Sequence, residues 1–575
     1  MNSQRPDNAE TSAPRWRRLF VLGAFAVLAF TLAARAVEIQ LVERDFLEGQ
    51  GQARHLRVNA IPAHRGMITD RFGEPLAISS PVDSVWADPG ELLGAAGRVP
   101  ELTELLGLDA ERVRAMLESR RDKEFVYIKR HVTPATGDRV MALRLPGVSL
   151  KREYRRFYPT GEVAGHVLGF TDIDDRGQEG LERAYNGWLS GNPGAKRVVR
   201  DRLGRVIEDV ELLREPEPGR DLTLSLDRRL QYIAYRELKA AVARHDAVNG
   251  AAVVLDARNG EVLAMANQPG FNPNDRSQLD SRRYRNRAVA DVIEPGSTIK
   301  PFTIAAALES GRFEPTTPVN AGPGWMMVGG NTVQDVHNYG DIDVATVLQK
   351  SSNVGITRIA LSLERGDVWR MVDAAGFGQS TGSGFQGEEA GMLAVTPPRS
   401  RFQRATLAFG YGLAATPLQV AHAYTALGNG GVLPPVTFLR GGDKGEGRRI
   451  MSTKTAGDVL RMMERVVSDE GTAERAAIAG YRVAGKTGTS KKAVAGGYAD
   501  DRYVALFAGI VPASDPRFVC VVMINEPRRD DYYGGQVAAP VFREVMSQAL
   551  RLYNVPPDGQ TSPAAPLMMA DRGRP

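Results

Sequence analysis

Sixteen consecutive residues, Leu19 to Ala34, carry no charge, and they follow a polar segment holding Arg5, Arg15, Arg17 and Arg18. A helix needs about 20 mostly apolar residues to span a bilayer, and Arg35 near the end of the run can snorkel to the headgroups while Ala36 and Val37 prolong it. The pattern predicts a membrane anchor over 19–41 behind a cytoplasmic segment 1–18, because basic residues ahead of a span stay inside. A cleaved leader is the alternative, since Ala34-Arg35-Ala36 has the small-x-small form of a processing site. On either reading the rest of the chain is exported. No other apolar stretch approaches spanning length.

Beyond the anchor the periodicity changes. Residues 42–214 mix short strand-like runs with helices and many arginines, and hold no obvious pairing of nucleophile and base, which reads as a spacer or docking module. Glu215-Pro216-Glu217-Pro218-Gly219 has linker composition and divides an N-terminal module, 42–219, from a second domain, 220–555. Asp221 to Leu226 alternates like a half-buried strand, and Asp227 to Arg244 reads as a helix. Ala251–Asp256 and Glu261–Ala266 flank Asn259-Gly260, a strong hairpin signal. Near the other end, Tyr503–Pro512 and Phe518–Asn525 are two further apolar runs with Asp515-Pro516 between them, and a helical pattern covers Val537–Tyr553. Strands at both ends with helices between them predict an α+β domain whose antiparallel sheet uses both chain ends. The Pro/Ala-rich segment 556–575 reads as a disordered tail.

Composition narrows the chemistry. The 575 residues are 43% hydrophobic and 25% charged, proportions of folded protein in two or three domains. A net charge of +5 spread over this length gives no concentrated basic patch, and no nucleic-acid partner is expected. The single Cys520 excludes an intrachain disulfide and any cysteine metal cluster, and the seven histidines are scattered without His-x-His or His-Glu-x-x-His spacing. No metal centre is expected.

Three short motifs carry the chemistry. Ser297-Thr298-Ile299-Lys300 follows the breaker Pro295-Gly296 and opens an apolar helical run, Phe302–Leu308. Ser297 therefore falls in the first turn of a helix, with Lys300 one turn on and on the same face. A serine nucleophile needs a neighbouring base, and a lysine serves where burial or positive surroundings lower its pKa. By itself such a tetrad is weak, expected by chance about once in every two chains of this make-up. Ser351-Ser352-Asn353 taken singly reads best as a helix N-cap, and Lys486-Thr487-Gly488-Thr489 as a glycine turn at a strand end. In this order, however, Ser-x-x-Lys, Ser-x-Asn and Lys-Thr-Gly are the signature set of penicillin-binding proteins and serine β-lactamases. No histidine stands in an obvious triad context, so the competing hydrolase template fails.

With these motifs the chain resembles the class B penicillin-binding proteins, and closely the division-specific peptidoglycan D,D-transpeptidases of Gram-negative bacteria (penicillin-binding protein 3, FtsI type). The resemblance covers about residues 20–550. In the N-terminal module it rests on Arg65-Gly66-Met67-Ile68-Thr69-Asp70-Arg71-Phe72-Gly73-Glu74-Pro75-Leu76-Ala77, Arg155-Arg156-Phe157-Tyr158-Pro159, His166–Thr171 and Gly177–Glu182. Phe72 stands where the family often has Asn, and Thr487 where it also uses Ser. The implied fold is a transpeptidase domain of the penicillin-binding-protein and serine β-lactamase type, on an elongated α+β pedestal or dimerisation-like module with one transmembrane helix. A β-lactamase would be smaller, lack 42–214 and need a deacylating base, and a bifunctional enzyme would need a glycosyltransferase domain for which the N-terminal module is too short.

The resemblance implies that Ser297 attacks the penultimate D-Ala carbonyl of a peptidoglycan stem peptide, with Lys300 as base, Ser351 and Lys486 as proton relay, and Asn353 holding Lys300 and the substrate amide. Thr487, Gly488 and Thr489 then bind substrate, with backbone N–H groups of Ser297 and Thr489 as oxyanion hole. Tyr411, Tyr498, Tyr503, Tyr532 and Tyr533 are candidate cleft aromatics, the last three placed best. No cofactor is implied. The implied partners are D-Ala-D-Ala stem peptides, β-lactam antibiotics as inhibitors, the inner membrane, and an FtsW-type glycosyltransferase with other divisome proteins. The implied location is the bacterial inner membrane, single-pass, with the catalytic domain periplasmic. An elongation-type class B transpeptidase and a catalytically silent β-lactam sensor of the same fold remain as alternatives.

Overall fold

The structure is a computed structural model that describes residues 15–38, 56–200, 206–275, 277, 280–441, 445–494, 497–529 and 531–559. Most of the expected cytoplasmic segment and disordered tail, and the last residues of the expected anchor, lie outside these. Helix α1 (Arg15–Val37) contains an uncharged-to-weakly charged stretch, Leu19–Val37, long and apolar enough to cross a membrane, with its apolar side chains exposed.

Two compact units divide the chain. One comprises residues up to 63 with 84–151 and 192–217. It contains the antiparallel sheet β1 (Leu56–Ile61), β2 (Gly194–Arg200) and β3 (Val206–Arg214), in that order. Its small core of Val85, Leu92, Leu102, Leu106, Leu117 and Ile128 is closed by helices at Val99–Leu106, Ala110–Ser119 and Pro134–Ala142. Two of these begin where a side chain satisfies an orphan amide: Asp109 accepts from Arg112 N and Thr133 from Thr136 N.

The other unit comprises 64–83, 152–191 and 218 onward. After Asp227 the chain runs through α2 (Arg228–Arg244), the hairpin β4 (Asn249–Asp256) and β5 (Val262–Gln268), then α3 (Lys300–Glu309), α4 (Asn353–Ser362) and α5 (Pro417–Gly428). It closes with β6 (Ala484–Val494), β7 (Gly497–Val511), β8 (Phe518–Asn525) and α6 (Ala539–Leu552). The five strands form one antiparallel sheet in the order β5-β4-β8-β7-β6, so strands from both ends of the domain meet at its centre. Every residue of β4 and β8 is buried, which is why both read as near-continuous apolar runs instead of alternating ones. Helices α2 and α6 pack together against the sheet, and α5, buried along its whole length, also packs against it.

Three expectations shift at the boundaries. The strand expected over 221–226 pairs as a strand only at Leu222-Thr223, parallel to Ile68-Thr69, because Leu224 and Ser225 turn to bond residues 437–439 before Asp227 caps α2. Strand β7 starts at Gly497, earlier than Tyr503, because it forms a long hairpin with β6. The helix expected from Val537 breaks at Ala538 into a short turn and α6, with Pro540 in the first turn of α6, where its missing N–H costs nothing.

Three of the four N-terminal motif blocks converge on one buried cluster within this unit. Glu182, fully buried, accepts from Arg65 Nη2 through Oε2 and from Arg156 Nε through Oε1, both at 2.6 Å, and both guanidiniums are 1% exposed. Arg65 Nη1 also donates to Asp175 O, Asn186 Oδ1 and Ser190 Oγ, and Arg156 Nη1 to Gly66 O and Ser79 Oγ.

Candidate active site

The nucleophile candidate sits on a tight turn. Gly296 has φ +54°, a conformation that suits glycine, and the turn Gly296–Ile299 is a 3-10 helix that runs straight into α3. Its shape is pinned from three sides: Gly296 N donates to Gly410 O at 3.1 Å, Thr298 Oγ1 to Pro295 O at 2.8 Å, and Tyr424 Oη to Thr298 O at 2.8 Å. Gly410 must be glycine, since a Cβ there would lie 2.0 Å from Gly296 O. Ser297 is left half-buried, while Lys300, three residues on, is fully buried.

Lys300 Nζ is held by the loop ahead of α4. It donates to Ser351 O at 2.5 Å, Asn353 Oδ1 at 2.8 Å and Ser351 Oγ at 3.2 Å. From the opposite side Lys486 Nζ donates to the same Ser351 Oγ at 2.9 Å. One hydroxyl thus bridges two buried lysine amino groups. Ser351 adopts φ +58°, unusual for a non-glycine residue, and that turn aims its Oγ between the two lysines. Ser352 is the N-cap of α4, its Oγ accepting from Gly355 N at 2.8 Å. The N-cap reading and the chemical reading of this motif are therefore both realised, on adjacent serines.

Burial sets the electrostatics. It lowers the Lys300 pKa to about 7, against the upward pull of the Asp335 carboxylate. It lowers Lys486 well below the usual lysine range, and the neighbouring Lys300 charge pushes in the same direction. Lys300 is therefore partly neutral near neutral pH, as a general base must be.

Strand β6 forms one edge of the sheet and carries Lys486 to Thr489 past the nucleophile turn. Gly488 allows that approach: a Cβ on it would lie 2.9 Å from Pro295 O and 3.0 Å from the Thr298 methyl. Thr487 Oγ1 shares a hydrogen bond with Thr472 Oγ1 at 3.0 Å, and Thr489 Oγ1 accepts from Gly534 N at 3.0 Å. Two aromatic groups flank the strand. Tyr503, Tyr532 and Tyr533 form a continuous stack with successive centroids 4.3 and 4.4 Å apart, and Tyr533 is the most exposed of the three. Tyr411 and Tyr498 meet edge to face at 5.8 Å, and Tyr498 Oη donates to Glu294 Oε1 at 3.0 Å.

The structure brings Lys300, Ser351, Asn353 and Lys486 into one hydrogen-bonded group and places the Ser297 turn beside it. It separates the tyrosines into two groups. Among the described residues no hydrogen bond joins Ser297 Oγ to Lys300; catalytic hydrogen bonds commonly tighten only when substrate is bound. Sequence reasoning missed two carboxylates. Asp335, 6% exposed, accepts from Ser352 Oγ at 2.6 Å, from Val354 N at 3.1 Å and from Asn353 N, so it anchors the loop that holds Lys300. Glu294 holds Tyr498 and Gly412 N. Nothing in the local sequence marks Asp335, which lies 16 residues before Ser351. Glu294, three residues before Ser297, was the more accessible by position alone.

Comparison with known proteins places this geometry. The family model described as the penicillin binding protein transpeptidase domain matches residues 250–547, and the penicillin-binding protein dimerisation domain matches residues 60–224. The chain is 40% identical to peptidoglycan D,D-transpeptidase FtsI of Escherichia coli K12, over 97% of this chain and 96% of that protein. It is 42% identical to the probable peptidoglycan D,D-transpeptidase PenA of Neisseria gonorrhoeae, over 95% and 94% respectively. It is also similar to the crystal structure of penicillin binding protein 3 from Mycobacterium tuberculosis complexed with aztreonam, at 28% identity and a TM-score of 0.69, over 87% of this chain and 98% of that one. Fold and motif set together define a penicillin-binding transpeptidase. More narrowly, the chain belongs to the class B penicillin-binding proteins, of the penicillin-binding protein 3 type.

Proposed function

We propose that this protein is a peptidoglycan D,D-transpeptidase that cross-links stem peptides at the division septum through an acyl-serine intermediate. The observation that carries the reading is the Ser351 hydroxyl shared by two buried lysines beside the Ser297 turn. Lys300 takes the Ser297 Oγ proton as Oγ bonds to the penultimate D-Ala carbonyl carbon. The C–N bond to the terminal D-Ala then breaks, and its amine takes a proton through Ser351, which can accept from one lysine side while donating to the leaving group. An amine of a second stem peptide next attacks the acyl carbon, the C–Oγ bond breaks, and Ser297 regains its proton. Asn353 steadies Lys300 and the donor amide, Thr487 and Thr489 grip the donor carboxylate, and Gly488 keeps the strand close to the turn. Backbone N–H groups of Ser297 and Thr489 receive the developing oxyanion. Tyr503, Tyr532 and Tyr533 form one wall of the cleft.

A β-lactam enters as a donor mimic whose leaving group stays tethered, so acylation becomes a trap. The apolar helix fits a single-pass anchor. In this reading it sits in the inner membrane with its N-terminus cytoplasmic and the transpeptidase unit periplasmic, where an FtsW-type glycosyltransferase and other divisome proteins are its partners. The test is the intact mass of the full chain in detergent after benzylpenicillin. One stable penicilloyl adduct, lost in Ser297→Ala, is expected. Labelling that persists in Ser297→Ala moves the nucleophile elsewhere, and rapid drug hydrolysis without an adduct points to a β-lactamase.

A further inference from the structure

The modest net charge of +5 hides one local concentration of arginine. Residues 358–370 and 399–404 hold six arginines against two carboxylates, Glu364 and Asp367. Both carboxylates face the same arginine, Arg370, at 4.0 and 2.5 Å. Arg358, Arg365, Arg399, Arg401 and Arg404 make no ion pair among the described residues, so the even spread of charge expected from the sequence fails at this surface. Two of these guanidiniums are fixed by carbonyls instead. Arg365 Nη2 donates to Pro397 O at 3.2 Å, and Arg404 Nη2 to Leu363 O at 3.0 Å and Ala360 O at 3.2 Å. Burial and the charges of Arg401 and Arg365 push the Arg404 guanidinium below its usual range, against the pull of Asp367. Like charges crowded in this way repel one another, and a bound anion relieves the repulsion.

The arginines border a pocket of about 390 Å³, within the roughly 300–1,000 Å³ of small-ligand sites. Its walls come from the helix Arg401–Ala408, from Trp369 on the helix Asp367–Ala374, and from the loop 393–399. Trp369, Leu393, Pro397, Pro398 and Leu407 make it apolar, and Arg399 is the one charged residue in its lining. Trp369 is held in place by its Nε1, which donates to Ala394 O at 2.7 Å. A narrower cleft shares Trp369, Pro398 and Leu407 with the pocket and adds Arg365 and Arg404 beside Glu364. Met392 and Val395, 58% and 91% exposed, carry apolar surface past the rim. At Gly412 the lining touches one carboxylate, Glu294, which already accepts from Gly412 N and Tyr498 Oη. No residue of the lining belongs to the lysine–serine group around Ser351.

We infer that this surface docks an acidic peptide segment of a partner protein, seating one large apolar side chain in the pocket and its carboxylates on the arginine rim. The arrangement has the form of an interface hot spot, an anchor in a desolvated pocket with arginine around it. Guanidinium groups suit carboxylates because each can bond one through two parallel N–H groups. The concave pocket selects a side chain. An anionic bilayer would meet the arginines and leave the pocket unfilled. Nothing in this recognition requires the acyl-transfer chemistry.

The test is fluorescence anisotropy of labelled heptapeptides, Glu-Asp-Glu-x-Glu-Asp-Glu with Trp, Leu or Gly at x, titrated with detergent-solubilised full chain at physiological ionic strength. The Trp and Leu peptides should bind saturably, and the Gly peptide at least about ten-fold more weakly, the worth of a buried anchor. The double variant Arg399→Glu/Arg401→Glu should weaken the Trp peptide at least about ten-fold by reversing the rim charge. Ala394→Trp, which fills the pocket from an exposed position, should weaken it at least about five-fold with the rim intact. Both variants alter exposed positions, and an unchanged melting temperature shows that they are folded. Absence of saturable binding, equal affinity for the Trp and Gly peptides, or parental affinity in either folded variant overturns the inference. Displacement of the bound Trp peptide by phosphatidylglycerol bicelles, but not by phosphatidylcholine bicelles, reassigns the surface to an anionic membrane and overturns it too.

Discussion

Two pairs of buried cations sit in the same compact unit of this protein, and they are wired in opposite ways. Arg65 and Arg156 share the carboxylate of Glu182, each through its own oxygen, so two charges are taken out of water with a counter-charge between them. Lys300 and Lys486 share the hydroxyl of Ser351, which is neutral. A buried charge must be matched or it titrates. Each arginine meets one oxygen of that carboxylate, so their cluster holds segments 64–83 and 152–191 together. The lysines share only that neutral hydroxyl, and burial brings Lys300 down to about 7 against the upward pull of Asp335. In the proposed function the lysine pair is the reagent, while the carboxylate-bridged arginine pair is scaffold.

The contrast is broken most sharply at Lys300. Lys300→Met keeps the side-chain stem and removes the titrating group; penicillin acylation should fall by about 10²–10⁴-fold, the worth of a general base, without a lower melting temperature. In the parent the acylation rate should rise with pH through about 7, as Lys300 loses its proton and becomes able to take one from Ser297. At the matched cluster the outcome should invert. Glu182→Gln leaves two buried guanidiniums sharing a neutral amide and should cost about 3–5 kcal/mol of stability in urea unfolding, while acylation per folded molecule persists. Equal stability of Glu182→Gln and parent would mean that water reaches the cluster and the scaffold reading is wrong.

Asp335→Asn sharpens the comparison from the reactive side. Asp335 is the carboxylate whose charge raises the Lys300 pKa, so its removal should move the acylation limb to lower pH and slow acylation through a loosened Ser351–Asn353 loop. A purely structural role would lower the rate at every pH without moving the limb. The smallest effect is expected at Tyr533, the exposed end of the tyrosine stack: Tyr533→Ala should slow acylation by a factor corresponding to about 1 kcal/mol, measured with one penicillin at fixed pH.

Much of this was legible in the chain. Strands β4 and β8 announce themselves as uninterrupted apolar runs, and Asn259-Gly260 marks the β4–β5 turn, where Gly260 takes φ +70°. The three motifs supply every member of the lysine–serine group, because chemistry of this kind depends on residue type at fixed spacing. What stayed hidden depends on distance along the chain. Asp335 and Ser352 meet only through the fold, as do Arg65, Arg156 and Glu182, although the N-terminal resemblance rests on the motif blocks that contain these three. Boundaries were missed where tertiary bonds compete: Leu224 and Ser225 look like strand but bond to residues 437–439.

The order β5-β4-β8-β7-β6 bears on how the molecule is made. Its central pairing sets Val253 opposite Val521, about 270 residues apart in sequence, so sheet closure is a late and non-local event. The hairpin β4–β5 can form as soon as it emerges, but Lys486 arrives only with β6, on the far side of β7 and β8. Ser297 is therefore synthesised long before the strand that completes its surroundings. Until β6 has paired with β7, the newborn chain carries a serine with no second lysine beside it, and its reactivity stays latent while the rest of the domain is made.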